Sequence, residues 1–507
     1  MSLDAVGLEV MGHAFASIAE EMGLVLIHSA VSPNIRERRD ASAALFDAEG
    51  GMIAQAAHIP VHLGAMAEAV AAVRAERPRP GELFLLNDPY TGGTHLPDLT
   101  LIGAVADGAR VAGYSVVRAH HSDVGGVAPG SMPAGAREIF AEGLILPPVR
   151  LTPEVERLLL ANVRTPDERR ADLRAQRAAV ERGAAALAGL ASRHGWAALE
   201  SGARDLAAYV ERRARAVLSG LGISGLTAAD DLEGDGVVND DLRIAVRVEM
   251  RDGVFHADFA GTAPAAAGNV NCPLAVTRSA VLFVVRTLLP EDLPVNAGLE
   301  RAIRVTAPEG CLVNAVRPSA VAAGNVETSQ RIADTVFRAL ALGGVPVPAQ
   351  GQGTMNNVTL GGPGWTYYET VGGGQGAGPA GPGPSAVHVG MSNTRNTPVE
   401  VLELEYPIRV RSYSRRAGSG GAGRHRGGTG VVREFEALQP MEATLLTDRR
   451  RRGPAGAAGG GEGAPGKNLV NGAPVGAKTS LSLAKGDVLR IETPGGGGWG
   501  EPERSDR

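Results

Sequence analysis

Only two cysteines, Cys272 and Cys311, occur in 507 residues. Two cannot build a disulfide framework or a thiolate metal cage, so ordinary burial is expected for both. Lysine is almost missing: Lys467, Lys478 and Lys485 are the only three, and arginine carries the rest of the positive charge. With 50 basic against 55 acidic residues the formal charge is −5, which gives no bulk electrostatic reason to bind nucleic acid or anionic lipid. The first residues carry Asp4 and no basic stretch, unlike a secretory leader. No run reaches about 18 uninterrupted apolar residues, so no membrane span is expected and a cytoplasmic setting is the default. Glycine is the abundant residue, 69 in all, but without a fixed period, which excludes collagen and solenoids. A soluble α+β chain is expected, with 44% apolar and 21% charged residues.

Helical spacing of Leu8, Met11, Phe15, Ile18 and Met22 predicts a helix over 4–30, broken at Ser32-Pro33-Asn34. Residues 42–54 predict a hairpin turning at Glu49-Gly50-Gly51. Strands follow at 83–86, 101–106 and 111–118, the last two joined by Asp107-Gly108. A helical block spans 151–222. Thr165-Pro166-Asp167-Glu168 has the form of a capping box, and Leu173, Gln176, Val180, Leu187 and Leu190 form the inner stripe. A soft boundary near 225 divides a metal-site domain with its helical block (1–225) from an α+β domain with a Gly-rich β region (226–507). In the second, 241–260 reads as a hairpin, 275–289 and 328–343 as helices, and the last 150 residues as strands between Gly-rich loops.

Two turns carry the chemistry. In Asn87-Asp88-Pro89-Tyr90-Thr91-Gly92-Gly93-Thr94-His95-Leu96-Pro97-Asp98, the glycines permit a tight path and Pro97 keeps Leu96 extended. His95 and Asp98 then sit three apart in a stiff turn, able to share one cation or simply to hydrogen-bond. In Arg118-Ala119-His120-His121-Ser122-Asp123-Val124-Gly125-Gly126, adjacent strand residues face opposite ways, so one histidine serves a site while the other packs. Asp123 is a ligand, an orienting partner or a turn residue. Taken together, oxygen ligands with two imidazoles suit Zn, Mn or Fe(II). Arg38-Arg39-Asp40 and His58-Ile59-Pro60-Val61-His62 are weaker candidates, the histidines being read as pocket-lining or structural.

Gly461-Glu-Gly-Ala-Pro-Gly466-Lys467-Asn468 fits the spacing of a phosphate loop but lacks the following Ser or Thr, the preceding strand and the following helix. A loop is expected there, and any ATP site lies on another chain. Arg449-Arg450-Arg451-Arg452 is read as a solvated or subunit-facing strand end or as an anion contact, and the arginines around 418–423 either hold an anionic intermediate or pair with the chain's own acids. Polar segments at 324–330, 354–357, 367–369 and 391–397 are costly to bury unpaired, so they form a hydrogen-bond network or a site.

The runs 87–98 and 118–126, with Pro129-Gly-Ser-Met-Pro133, Glu138-Ile-Phe-Ala-Glu-Gly143, 324–330, 393–400 and the terminal Pro494-Gly-Gly-Gly-Gly-Trp499-Gly, resemble the hydantoinase B/5-oxoprolinase family over essentially the whole chain. The family includes B subunits of N-methylhydantoinase-type enzymes, the C-terminal part of eukaryotic 5-oxoprolinase and the acetone carboxylase alpha subunit. The resemblance implies an actin-like A-type partner that binds ATP and Mg and phosphorylates the substrate carbonyl. It implies a divalent metal, Zn, Mn or Fe, on Asp40, His95, Asp98 and His120; Asp40 enters through this mapping only. His121 or Asp123 would relay a proton. The expected function is ATP-dependent hydrolysis of a cyclic amide such as a hydantoin or 5-oxoproline within a hetero-oligomer. Carboxylation of the acetone carboxylase kind, or a non-catalytic metal-stabilised scaffold, are the alternatives.

Overall fold

The computed structural model describes residues 4–57 and 59–502. A helix, Ala5–Ser29, opens the chain. The Asp4 side chain accepts from the Gly7 amide at 2.7 Å, and Ala30 leaves the helical region to end it. Over Val6–Ser29 it is long and apolar enough to cross a membrane by length and composition. However, Met11, Phe15, Ile18, Met22 and Leu26 form one face that is buried in the core. Each large apolar side chain removed from water in this way contributes about 1.5–3 kcal/mol.

That face rests on a six-stranded antiparallel sheet: β1 (Ala41–Asp47), β2 (Met52–Ala57), β3 (Leu83–Leu86), β4 (Asp98–Asp107), β5 (Arg110–His120) and β6 (Val149–Arg150), in the order β2-β1-β5-β4-β3-β6. The long helix Pro166–His194 packs across the same face, burying Leu173, Gln176, Val180, Leu187 and Leu190. It comes close because Gly183 has no side chain. A Cβ there would stand 2.3 Å from the Met22 sulfur and 2.4 Å from the Ser115 hydroxyl. The start of this helix departs from expectation. Thr165 makes no side-chain cap, and Glu168 pairs forward with Arg169 rather than reaching back.

The second sheet contains β7 (Leu226–Glu233), β8 (Asp241–Arg251), β9 (Val254–Asp258) and β10 (Ile303–Thr306), in the order β10-β9-β8-β7. Helices Leu274–Thr287 and Ser329–Leu342 contribute to the core beside it, which also takes in Val210, Ala214 and Leu218 from the preceding helix and Cys272 and Cys311. The boundary expected near 225 thus falls between a helix and β7, with one hydrophobic cluster reaching across it. Both cysteines are buried and free.

The last third adds β11 (Asn357–Gly362), β12 (Trp365–Thr370), β13 (Ile408–Arg415), β14 (Val431–Ala437), β15 (Met441–Leu446), β16 (Lys467–Val470), β17 (Ala473–Pro474), β18 (Lys478–Leu483) and β19 (Val488–Glu492). They form two sheets, β12-β11-β15-β18 and β13-β14-β19-β16-β17. Helices and sheets are segregated, as an α+β class requires. Between these strands, glycine-rich runs hydrogen-bond to one another directly. Gly428 N donates to Gln375 O at 2.9 Å, Gly496 N to Gly428 O at 2.9 Å, and Gly498 N to Gly461 O at 2.9 Å.

Lys467 opens β16, so the phosphate-loop spacing leads into a strand and not a helix. The arginine run splits between a buried start and an exposed end, and its charges are paired: Arg449 is buried, while Arg451 and Arg452 stand in solvent as a solvated end would. Arg449 pairs with Asp230 and Asp334, while Arg451 and Arg452 pair with Asp241.

Candidate metal centre

The turn before β4 is held by its own side chains. Asn87 Nδ2 donates to Leu96 O (2.8 Å) and Leu144 O (2.9 Å), and its Oδ1 accepts from Leu146 N (2.7 Å). Gly93 is needed for close approach, since a Cβ would stand 2.3 Å from Asn87 O. β4 begins earlier and β5 ends later than their apolar runs suggest. The extension makes Asp98 and His120 direct partners across the ladder, and directly opposed strand residues project to the same face.

Three ligand atoms meet there. His95 Nε2 lies 3.3 Å and His120 Nδ1 3.4 Å from Asp98 Oδ1, and the two nitrogens are 3.2 Å apart. All three residues are buried. The other Asp98 oxygen, Oδ2, is satisfied by the Thr94 hydroxyl and by His62 Nε2 at 3.3 Å. Asp98 Oδ1 has no hydrogen-bond donor among the described residues. A buried carboxylate oxygen left bare between two imidazole nitrogens is costly. A divalent cation would remove that cost, and one carboxylate with two imidazoles is a donor set that would suit Zn, Mn or Fe(II).

The outer contacts set the tautomers. Ala322 O, 3.4 Å from His95 Nδ1, can only accept, so Nδ1 carries the proton and the Nε2 lone pair faces the cluster. Glu142 fixes that carbonyl's segment by accepting from Val321 N and Ala322 N. His62 donates from Nε2 to Asp98, leaving Nδ1 to accept from Ser42 Oγ at 3.1 Å. Burial opposes charge on His95, but Asp98 outweighs it and raises the imidazole's pKa. Burial would raise the Asp98 pKa; His95 and His62 instead hold it well below the usual carboxylate range.

Asp40 is 3% exposed, and its carbonyl accepts from His120 N at 3.0 Å. Its carboxylate stands outside the set of three, but its charge acts on both imidazoles. His121 and Asp123 are not brought to the cluster. His121 projects to the opposite face, where Nε2 meets Gln176 Oε1 at 2.9 Å. Asp123 ties down its own loop by accepting from Gly125 N, Gly130 N, Arg164 N and Arg164 Nη1. His58 lies outside the described residues. His62 is the residue sequence reasoning undervalued. Its hydrogen bond spans 36 positions and follows from the fold, not from spacing. Tyr368, from β12, also reaches the site by stacking on His120, with ring centroids 4.4 Å apart and planes 12° apart. Its only sequence signal was its place in a polar segment.

The family profile described as Hydantoinase B/oxoprolinase matches residues 4–502. The chain belongs to that family. It is 38% identical over 99% of its length to an uncharacterised protein of Methanocaldococcus jannaschii, covering 92% of that protein. It is 35% identical to 5-oxoprolinase 1 of Arabidopsis thaliana over 98% of this chain but 42% of that one. The chain thus spans about two fifths of the length of the curated 5-oxoprolinases it matches. Among solved structures, the ATP-dependent caprolactamase from Pseudomonas jessenii superposes with a TM-score of 0.91 at 28% identity, covering 99% of this chain and 92% of that one. Acetone carboxylase shares the fold, with a TM-score of 0.87 at 17% identity over 98% of this chain and 76% of that one.

Proposed function

We propose that this chain is the metal-bearing B-type component of an ATP-dependent cyclic-amide hydrolase. The observation that carries the reading is the bare Asp98 oxygen between the His95 and His120 nitrogens. The sequence and structural likeness to proteins named 5-oxoprolinase and caprolactamase supports the substrate class. Amide resonance makes a lactam carbonyl a poor electrophile. An A-type partner holding ATP and Mg, in the cytoplasm, transfers the terminal phosphoryl group to the carbonyl oxygen; water adds to the activated carbon, the ring C–N bond breaks with a proton passing to the nitrogen, and a second water releases phosphate from the resulting acyl phosphate. His95, Asp98 and His120, with Asp40 beside them, would hold a divalent cation, whose contribution there would be Lewis acidity and easier deprotonation of water.

The chain's own residues prepare the site. His62 and Thr94 occupy Asp98 Oδ2 and so turn Oδ1 inward. Ala322 presents the His95 lone pair. The sheet and its helices exclude bulk water, which strengthens each of these contacts.

The test is reconstitution with the A-type partner, ATP and a panel of hydantoin, 5-oxoproline and caprolactam, with and without bicarbonate. ATP consumption coupled to ring opening, lost on chelation and restored by Zn or Mn, is expected. A bicarbonate-dependent carboxylated product would replace hydrolysis with carboxylation. Full turnover from metal-free His95→Ala would reduce the chain to a scaffold.

A further inference from the structure

A metal-binding imidazole is ordinarily oriented through its second nitrogen, which donates to a carboxylate or carbonyl. His95 follows that rule through Ala322 O. His120 does not. Its Nδ1 faces the cluster, and its buried Nε2 has no hydrogen-bond partner among the described residues. What lies against the ring is the phenol of Tyr368, nearly parallel at 4.4 Å.

Tyr368 is itself held at each end. Arg38 Nη1 donates to its backbone carbonyl at 2.9 Å, and the guanidinium lies 4.9 Å from the ring centroid. Its hydroxyl donates to Asn357 Oδ1 at 2.8 Å. Asn357 Nδ2 in turn donates to Glu327 Oε1 at 3.2 Å and Leu446 O at 3.2 Å. Glu327 projects from a π-helical turn, Gly324–Thr328, a local widening that occurs often at functional sites. Its Oε1 also accepts from Met355 N at 3.1 Å. A tyrosine buried only for packing needs a single acceptor. This one ends a chain of three side chains from different segments.

We propose that Tyr368 is a positioning residue that sets the plane of the His120 imidazole, with Asn357 and Glu327 fixing the phenol. The proposal rests on the metal reading above and extends it: strand β12, about 250 positions downstream, completes the centre built on β4 and β5.

The test is titration of the full-length metal-free protein with Co(II), followed by its visible absorption, and with Zn(II) by chelator competition. Wild type is compared with Tyr368→Phe, Tyr368→Leu and Glu327→Gln, with thermal melting of each metal-free protein alongside. Tyr368→Leu is expected to weaken binding about 10–100-fold, the usual cost of losing such an outer partner, and to alter the Co(II) spectrum. Tyr368→Phe keeps the stack and loses the tether, so it should lie between. If Tyr368→Leu does not fold, an altered spectrum in Tyr368→Phe still supports the proposal. Wild-type spectra and affinities in both folded Tyr368 variants would overturn the proposal alone. A wild type that binds neither ion would overturn the metal reading and the proposal with it.

Discussion

The β4–β5 region and the glycine-rich last third solve opposite problems. Around β4 and β5 the backbone is ordinary sheet and it is side chains that converge: His95, Asp98, His120, and behind them His62, Thr94 and Tyr368. In the last third the backbone is the packing material. A Cβ on Gly428 would stand 1.8 Å from Pro384 O, on Gly427 1.9 Å from Gly496 O, and on Gly420 2.0 Å from Gly427 O. Extended runs there lie too close for any side chain and pair amide to carbonyl instead. The first region should therefore tolerate loss of a side chain as a fold while losing its chemistry. The second should lose its fold on the gain of one methyl.

The sharpest contrast comes from His95→Ala in the reconstituted system. Metal content should fall to background and ring opening by about a thousandfold, matching several kcal/mol of lost Lewis-acid stabilisation. The melting temperature should stay close to that of chelated wild type. Gly428→Ala should do the reverse. No neighbouring side chain can yield there, only backbone. Overpacking that forces such movement costs about 3 kcal/mol, read as a lowered urea midpoint or as insoluble protein. A stable, active Gly428→Ala protein would break the comparison.

Legibility divides along the same line. The Ala5–Ser29 helix, the β1–β2 hairpin and the β4–β5 pair follow local rules of periodicity and turn chemistry, and all three were readable. His95, Asp98 and His120 come together because a single hairpin joins them, so their proximity was readable too. Tyr368 was not, because its place depends on β12 meeting β5. His62 was not, because a proline obscured it and a tertiary contact gave it its role. The Thr165 cap failed because Arg169, buried at the helix start, competes for Glu168. The glycine runs read only as loops. Nothing in their composition says that they hydrogen-bond to each other across 30 to 120 positions.

Acidity tests the border between the two regions, where Glu327 lies. Burial pushes its carboxyl up to about 8, with Asp448 adding to the effect and Lys478 and Arg450 opposing it. Between roughly the ordinary 4.5 and 8, the folded chain holds a proton that the unfolded chain has released. Stability from this group therefore falls as pH rises through that window, by about 1.4 kcal/mol per pH unit at most. Burial also pushes Glu142 up to about 8 and Glu300 up to about 7, but it pushes His121 and His388 down to about 4, which adds stability as pH rises to about 6.5; the softening of wild type should therefore stand clear between about pH 6.5 and 8. Glu327→Gln removes one proton from that count. Urea midpoints across the range should show a shallower decline in the variant, and equal slopes would place the carboxyl's titration elsewhere.

The smallest effect separates two neighbours in the chain. His120 and His121 are adjacent, yet the strand's alternation sends one to the cluster and the other to Gln176. Burial pushes the His121 imidazole down to about 4, with the Arg169 charge adding to it, so the ring is neutral at pH 7. A neutral imidazole that meets an amide oxygen acts as a donor and has no route to the Asp98 face. His121→Ala should cost about 1–3 kcal/mol of stability, because Gln176 loses a buried partner. It should leave metal stoichiometry at wild-type level and ring opening within about threefold, well under the tenfold that 1.4 kcal/mol of barrier would give. His120→Ala should lose both metal and activity. If the two alanine variants lost activity to the same degree, the strand would be carrying chemistry on both faces, and the division between binding face and packing face would have to be redrawn.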